Sequence, residues 1–259
     1  MGNNHASPRR RSTQPSERDP MNAFLSLSGR ILALLLVLTL PLAAQDAEEG
    51  VDDRPGVAIL PFTDGGSFGA DREDLAALSV GLQQILITEL QQNSQLRIVD
   101  RSVLREVLEE QDLAEEGRVD AATAARVGQI VGARYVVTGG YMDLSGDFRL
   151  DARIVDGETT ETPWSDYVRG DRSDLYALLV DMAGKITSGA DLPALPMEVR
   201  EEREARPIPP QAITLYSRAQ VLQDVGQTDR ARELYQRIVS DFPEMTEAGE
   251  ALEQLDGEA

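Results

Sequence analysis

GARYVVTGGYMDLSGDFRLDARIVDG, residues 132–157, changes its periodicity part-way along. Tyr135–Thr138 is a short continuous run, the pattern of a strand buried on both faces. Phe148, Leu150, Ala152 and Ile154 instead alternate with Arg149, Asp151, Arg153 and Val155, the pattern of an antiparallel strand with one wet face. Ser145-Gly146-Asp147 turns the chain before the second run and Asp156-Gly157 turns it after. Between the runs lie Gly139 and Gly140. Glycines behind a buried strand can open a phosphate loop, but that loop works by aiming a helix N-terminus at the anion, and here a hairpin follows. The pair therefore reads as a bend or bulge where a buried parallel strand hands over to exposed hairpins.

Upstream, Val57–Phe62 (VAILPF) is a second continuous apolar run, and residues 63–71 read as a loop. Leu75, Leu78, Leu82, Ile85, Leu86 and Leu90 recur at helical spacing, predicting an amphipathic helix over about 72–93. Leu96–Val99 is a short strand. Ser102 can cap a helix carrying Val103, Leu104, Val107 and Leu108. Asp120 can cap the next, with Ala124, Val127, Ile130 and Val131 inward and Gly132 just past its end. Downstream, Trp164–Arg169 returns as a strand. Ser173 or Asp174 then caps a helix using Leu175, Leu178, Leu179, Met182 and Ile186. Strands separated by helices followed by hairpins make one α/β domain over residues 55–190, with helices flanking a mixed sheet in a three-layer arrangement. Residues 191–210, with five prolines around the charged run EVREEREAR, read as a linker, with a short helix in the charged stretch as an option. Residues 211–256 read as a small all-α unit.

The N-terminal 44 residues read as a leader. Residues 31–40 (ILALLLVLTL) follow Arg30 and precede Pro41-Leu42-Ala43-Ala44, as in a secretory signal peptide cleaved after Ala44. A run of about ten residues falls short of the about 20 needed to span a bilayer. Met21 is the better start, which makes residues 1–20 a gene-start artefact. A retained membrane anchor is the alternative.

The formal net charge is −20. Such a surface repels phosphate backbones, which excludes nucleic acid as a partner, and disfavours anionic membranes. The chain has no Cys, and its one His, His5, falls in the leader. Most nucleophilic and acid–base machinery needs one of these residues. No phosphate-loop or dinucleotide fingerprint is present. Asp64-Gly65-Gly66 precedes a helix, but that helix opens on Asp71, Glu73 and Asp74, which would repel an anion. The clusters Glu109, Glu110, Asp112, Glu115, Glu116 and Asp143, Asp147, Asp151, Asp156 lack calcium-loop spacing and read as solvated surface. Trp164 reads as a packing residue. The expectation is no cofactor, no metal site and no enzyme.

VAILPF with its helix, LRIVDRSVLREVLEEQDL at 96–113, and AARVGQIVGARYVVTGGYMDLSGDFRLDARIVDGETTE at 124–161 together resemble the CsgG/HfaB family of envelope secretion components. They are similar also to the N-terminal domain of TolB and to LpoB-type activators. Val99-Asp100-Arg101 and Gly132–Gly139 carry the likeness most specifically. The resemblance implies an exported protein-binding or assembly module with envelope protein partners, self-association being one option. It implies a periplasmic location, peripheral to the outer membrane, with no integral span after signal cleavage. A subunit of a curli-type secretion channel is the alternative, although the family's acylated cysteine and long membrane hairpins are missing.

The C-terminal unit resembles a single tetratricopeptide repeat, with Ala219, Leu222, Gly226, Ala231, Tyr235 and Pro243 at that repeat's positions. One repeat cannot bury a continuous core alone, so it should pack on the α/β domain or on another chain. Ile213, Tyr216, Gln220, Gln223 and Asp224 line the inner face of its first helix. They either bind a partner or pack on the first domain.

Overall fold

The computed structural model describes residues 52–68, 72–110 and 119–257. The leader, its signal peptide and the acids Asp112, Glu115 and Glu116 lie outside the described residues. Residues 49–259 form one compact unit, and among the described residues no helix is long and apolar enough to cross a membrane.

The sheet is mixed, as its two hydrophobic periods require. Strand β1 (Gly56–Ile59) runs parallel to β3 (Arg97–Ile98) on one side and to β4 (Tyr135–Leu144) on the other. Strand β4 then pairs antiparallel with β5 (Asp147–Asp156), and β5 with β6 (Trp164–Asp171), giving the order β3-β1-β4-β5-β6. Ser145 and Gly146 turn β4 into β5 with φ of 57° and 101°, the positive pair that matches the twist of a two-residue hairpin.

Gly139 and Gly140 neither bend nor bulge the strand. Strand β4 runs straight through them, with Gly139 opposite Ala152 and Gly140 opposite Asp151 in unbroken register. Their role is close approach. A Cβ at Gly139 would overlap the Asp151 carbonyl oxygen and sit 3.0 Å from the Ala152 Cα, and one at Gly140 would sit 2.9 Å from the Thr63 carbonyl oxygen. There β4 takes on a further parallel neighbour, β2 (Thr63–Asp64), inside the segment expected to be a loop. The hand-over is thus lateral, from β1 to β2, and not along β4.

One face of the sheet packs on α1 (Arg72–Gln91) and α4 (Leu175–Gly189), and the other on α2 (Arg101–Glu110) and α3 (Ala121–Val131). Asp120 caps α3 by accepting the Thr123 N–H at 2.7 Å, and Gly132 closes it at φ 66°. Helix α2 starts at Arg101, with the Asp100 carbonyl accepting the Leu104 N–H, so Ser102 lies inside the helix and does not cap it. Ile130, expected inward, is exposed, and so is Val103. The buried faces are made by Leu104, Val107 and Leu108 on α2 and by Ala124 and Val127 on α3.

Beyond a short helix α5 (Met197–Glu204), the chain forms α6 (Pro210–Asp224), α7 (Thr228–Asp241) and α8 (Thr246–Gly257). Gly226 makes the α6–α7 turn at φ 74°. Helix α6 lies on the side of α1 away from the sheet. A Cβ on Gly81 of α1 would overlap the Ser217 hydroxyl and fall 2.6 Å from its Cβ and 3.0 Å from its Cα. The helices thus touch backbone to backbone, and one hydrophobic core runs from β5 through Leu82 and Ile85 to Ile213, Tyr216 and Tyr235.

The segment read as a linker fastens this arrangement. Arg203 pairs with Glu89 of α1 and, at 2.8 Å, with Glu247 of α8. Arg206 meets Glu247 at 2.6 Å and the Tyr176 hydroxyl at 2.6 Å, and Tyr176 donates to Glu89 at 2.8 Å. Glu89 and Glu247 are buried. Burial alone would raise the Glu247 pKa, but its hydrogen bond to Arg206 and the charges of both arginines bring it below the usual carboxylate value.

Candidate protein-docking face

The five residues singled out on α6 are used inside the molecule. Ile213 and Tyr216 are buried in the core against α1. Gln220 is buried and accepts from Arg101 at 2.5 Å, Asp224 meets the same guanidinium at 2.6 Å, and Gln223 accepts the Tyr235 hydroxyl at 2.9 Å. Of the two readings open for this face, the structure has packing on the first domain. Arg101, part of the Val99-Asp100-Arg101 signature, is the residue that meets it.

Among the described residues, the part of the sheet left uncovered is elsewhere. Helices α2 and α3 cover β1, β3 and the start of β4, where Ala58, Leu60, Val136 and Val155 face them. Past that point the same face of β4, β5 and β6 carries Thr138, Gly140 and Met142, then Arg149, Asp151 and Arg153, then Ser165, Tyr167 and Arg169. No described helix lies over them. A groove of about 770 Å³ occupies this half-sheet, floored by Thr138 and Gly140, walled on one side by Val119-Asp120-Ala121 and on the other by Arg149 and Tyr167. The alternation of β5 makes the groove: Phe148, Leu150, Ala152 and Ile154 belong to the core, so Arg149, Asp151 and Arg153 face out, while Val155, on that same side, is covered by the helices.

The groove is polar and held in place. The Arg149 guanidinium lies 4.0 Å from the centre of the Tyr167 ring and bonds Asp151 at 2.8 Å. Its pKa is pushed up first by that bond. Arg169 pairs with Asp147 and holds its carboxyl below the usual range. Lys185 does the same for Asp166 at 2.6 Å. Arg153 donates to the Val119 carbonyl at 2.7 Å, while its Nε is buried with no hydrogen-bond partner among the described residues.

At one end the face turns apolar. Phe68 is 75% exposed and Leu144 52%. The two pair as a parallel bridge, with the Phe68 N–H donating to the Asp143 carbonyl at 2.8 Å. The loop behind them is fixed, since Asp64 accepts the Gly66 and Ser67 N–H groups and the Ser67 hydroxyl accepts the Asp143 N–H. Fixed aromatic, arginine and apolar side chains beside a polar rim are the anatomy of a protein-binding surface. Sequence reasoning found the wet face of β5 but not Tyr167 or Phe68. The alternation Ser165-Tyr167-Arg169 was the available signal for Tyr167, and nothing local marked Phe68.

Among the described residues no group of His, Cys, Asp and Glu is placed to hold an ion. Glu109 and Glu110 are exposed at the end of α2. Asp143 is buried, with Arg172 at 3.3 Å, and Asp156 caps its own turn through the Glu158 and Thr159 N–H groups. Trp164 packs, partly buried, beside Gly189.

Comparison with known proteins finds one family-model match over part of the chain and several similar solved structures. Residues 47–149 match the family model described as curli production assembly/transport component CsgG. No curated protein matches the sequence. Among solved structures, the chain is similar to the LpoB C-terminal domain from Salmonella enterica at 17% identity, with 48% of this chain and 87% of that one covered and a TM-score of 0.35. It is similar to TolB from Acinetobacter baumannii at 16% identity over 53% of this chain and 28% of that one, TM-score 0.37. It is similar also to lipoprotein GNA1162 from Neisseria meningitidis at 15% identity over 51% and 96%, TM-score 0.36.

Proposed function

We propose that this protein is an exported, non-catalytic module of the bacterial envelope that binds a protein partner through the bare half of its sheet. The observation that carries the reading is the contrast between the two sides of the molecule. The α6 face of the helical unit is spent on α1, whereas the half-sheet offers Tyr167, Arg149, Met142 and Leu144 to solvent in fixed positions. The CsgG match over residues 47–149 supports an assembly role. Within this reading α6 and α7 are a tetratricopeptide-like pair whose job is to stiffen the domain, and the periplasm is the working compartment, reached by removal of residues 1–44.

The test is affinity capture from cell envelopes with the parent chain and with Arg149→Glu/Tyr167→Ala. Both residues are exposed enough for the variant to fold. One partner recovered by the parent and reduced at least about tenfold by the variant is the expected result, since loss of a single interface anchor costs about 2 kcal/mol or more. Equal recovery by both proteins sinks this face. Recovery of the protein as detergent-requiring rings would favour a channel subunit instead. A mature cytoplasmic chain that still carries residues 1–44 would refute export.

A further inference from the structure

A second cleft, independent of the docking face, lies where the helical unit meets the sheet's hairpin end. Its floor is Leu75 and Leu78 of α1, Leu215 of α6 and Phe242 after α7, and its volume is about 1020 Å³, the upper end of the range for small-molecule sites. Three arginines stand around that floor: Arg172 behind β6, Arg218 on α6 and Arg237 on α7. Each arginine has an acidic neighbour, and Asp74 and Asp171 share the lining with them.

The three are weakly engaged. Arg172 lies 3.3 Å from Asp143, Arg218 lies 3.3 Å from Asp74, and Arg237 lies 3.4 Å from Asp241. By contrast, Arg101, Arg206 and Lys185 hold their carboxylates at 2.6 Å. Asp143 is buried beneath Arg172, and its Oδ2 has no hydrogen-bond partner among the described residues, so it holds that arginine at the cleft without satisfying its donors. The other acid in the lining, Asp171, is taken up by the Ser173 N–H. The Arg218 and Arg237 pairs are long and half-exposed, and such pairs contribute little in water. They are readily exchanged for a bidentate bond to an incoming acid group, and arginine's planar fork suits that bond.

We propose that this cleft binds a small amphiphilic anion: an apolar chain or ring on the Leu215–Phe242 floor, with its acid group held by Arg172, Arg218 and Arg237. Apolar burial supplies the attraction, and the arginines select the charged head over an uncharged one.

The test is fluorescence titration of the full chain with 8-anilinonaphthalene-1-sulfonate and with its uncharged analogue N-phenyl-1-naphthylamine, followed by displacement with dodecanoate. The expected result is saturable one-site binding, roughly tenfold or more tighter for the sulfonate, weakened by salt and displaced by dodecanoate. Arg218→Gln/Arg237→Gln changes only exposed side chains and should lower the sulfonate's affinity roughly tenfold while leaving the circular dichroism spectrum unchanged. Arg230→Gln, an exposed arginine of α7 outside both sites, should leave binding as it is. Equal affinity for the two dyes, absence of saturable binding, no displacement, or indifference to the double substitution would each overturn the proposal.

Discussion

Arg203→Ala should lower the unfolding free energy by about 3–5 kcal/mol, the usual cost of stripping one partner from a buried ion pair. Its side chain is 12% exposed and that of Glu89 is 1% exposed, so removing the guanidinium leaves a carboxylate in the core with only the Tyr176 hydroxyl for company. Urea unfolding is the measurement, because urea leaves charge interactions unscreened. Arg203→Lys should recover only part of the loss, since one ammonium cannot fork between Glu89 and Glu247. Glu89→Leu/Arg203→Met should cost far less than either single change, because exchanging both partners for apolar groups removes the desolvation penalty as well as the attraction. If the three proteins unfold at the same urea concentration as the parent, the clasp is not what fastens the helices.

The same cluster gives a pH dependence. The folded pKa of Glu247 lies below its ordinary 4.5. Its contribution to stability is therefore complete above about that pH and is lost as the pH falls through the folded value. The parent should lose stability steeply below pH 4.5, and Glu247→Gln, already lacking the charge, should show a shallower decline.

The second large effect is at Gly81, where helix propensity and packing predict opposite signs. In an open helix, replacing glycine by alanine stabilises by up to about 1 kcal/mol. Gly249 in α8 has no heavy atom near the place a Cβ would take, so Gly249→Ala should show that gain. At Gly81 the new Cβ would run into Ser217, with 3.0 Å to its Cα, and turning the serine side chain cannot move a backbone atom. Gly81→Val should therefore destabilise by about 1–3 kcal/mol or more, and Gly81→Ala by less. Ser217→Gly should restore part of that stability, as expected for two residues in contact. A Gly81→Val protein as stable as the parent would mean that α6 does not sit against α1.

Much of the fold is legible in local pattern. The change of period between Tyr135–Thr138 and Phe148–Ile154 gives the parallel and antiparallel parts of the sheet, because burial on two faces or on one is written directly into side-chain alternation. Asp120 and Gly132 bound α3 because capping is satisfied within a few residues. The glycine pair was legible as a special backbone position but not in its purpose. Steric need for Gly139 comes from Asp151 and Ala152 across the sheet, and for Gly140 from Thr63, a partner strand two residues long that has no periodicity to read. The inner face of α6 was legible as a surface needing a cover, and the choice between another chain and α1 was not. The linker arginines gave no signal, since a charged run with prolines looks the same whether it is solvated or clasping two buried glutamates.

The sequence by itself determined the main elements apart from β2, their order, the mixed character of the sheet and the wet side of β5. These follow from interactions within a turn of helix or between alternate residues of a strand. Only the tertiary structure decided which surfaces remain free. Arg203 and Glu89 meet across 114 residues of chain, and Gly81 and Ser217 touch because two helices lie at backbone contact. Whether α6 covers α1, and therefore whether the half-sheet is the face left for a partner, depends on close packing between distant segments. Hydrophobic burial is indifferent to where along the chain its surfaces come from, so no local pattern records that choice.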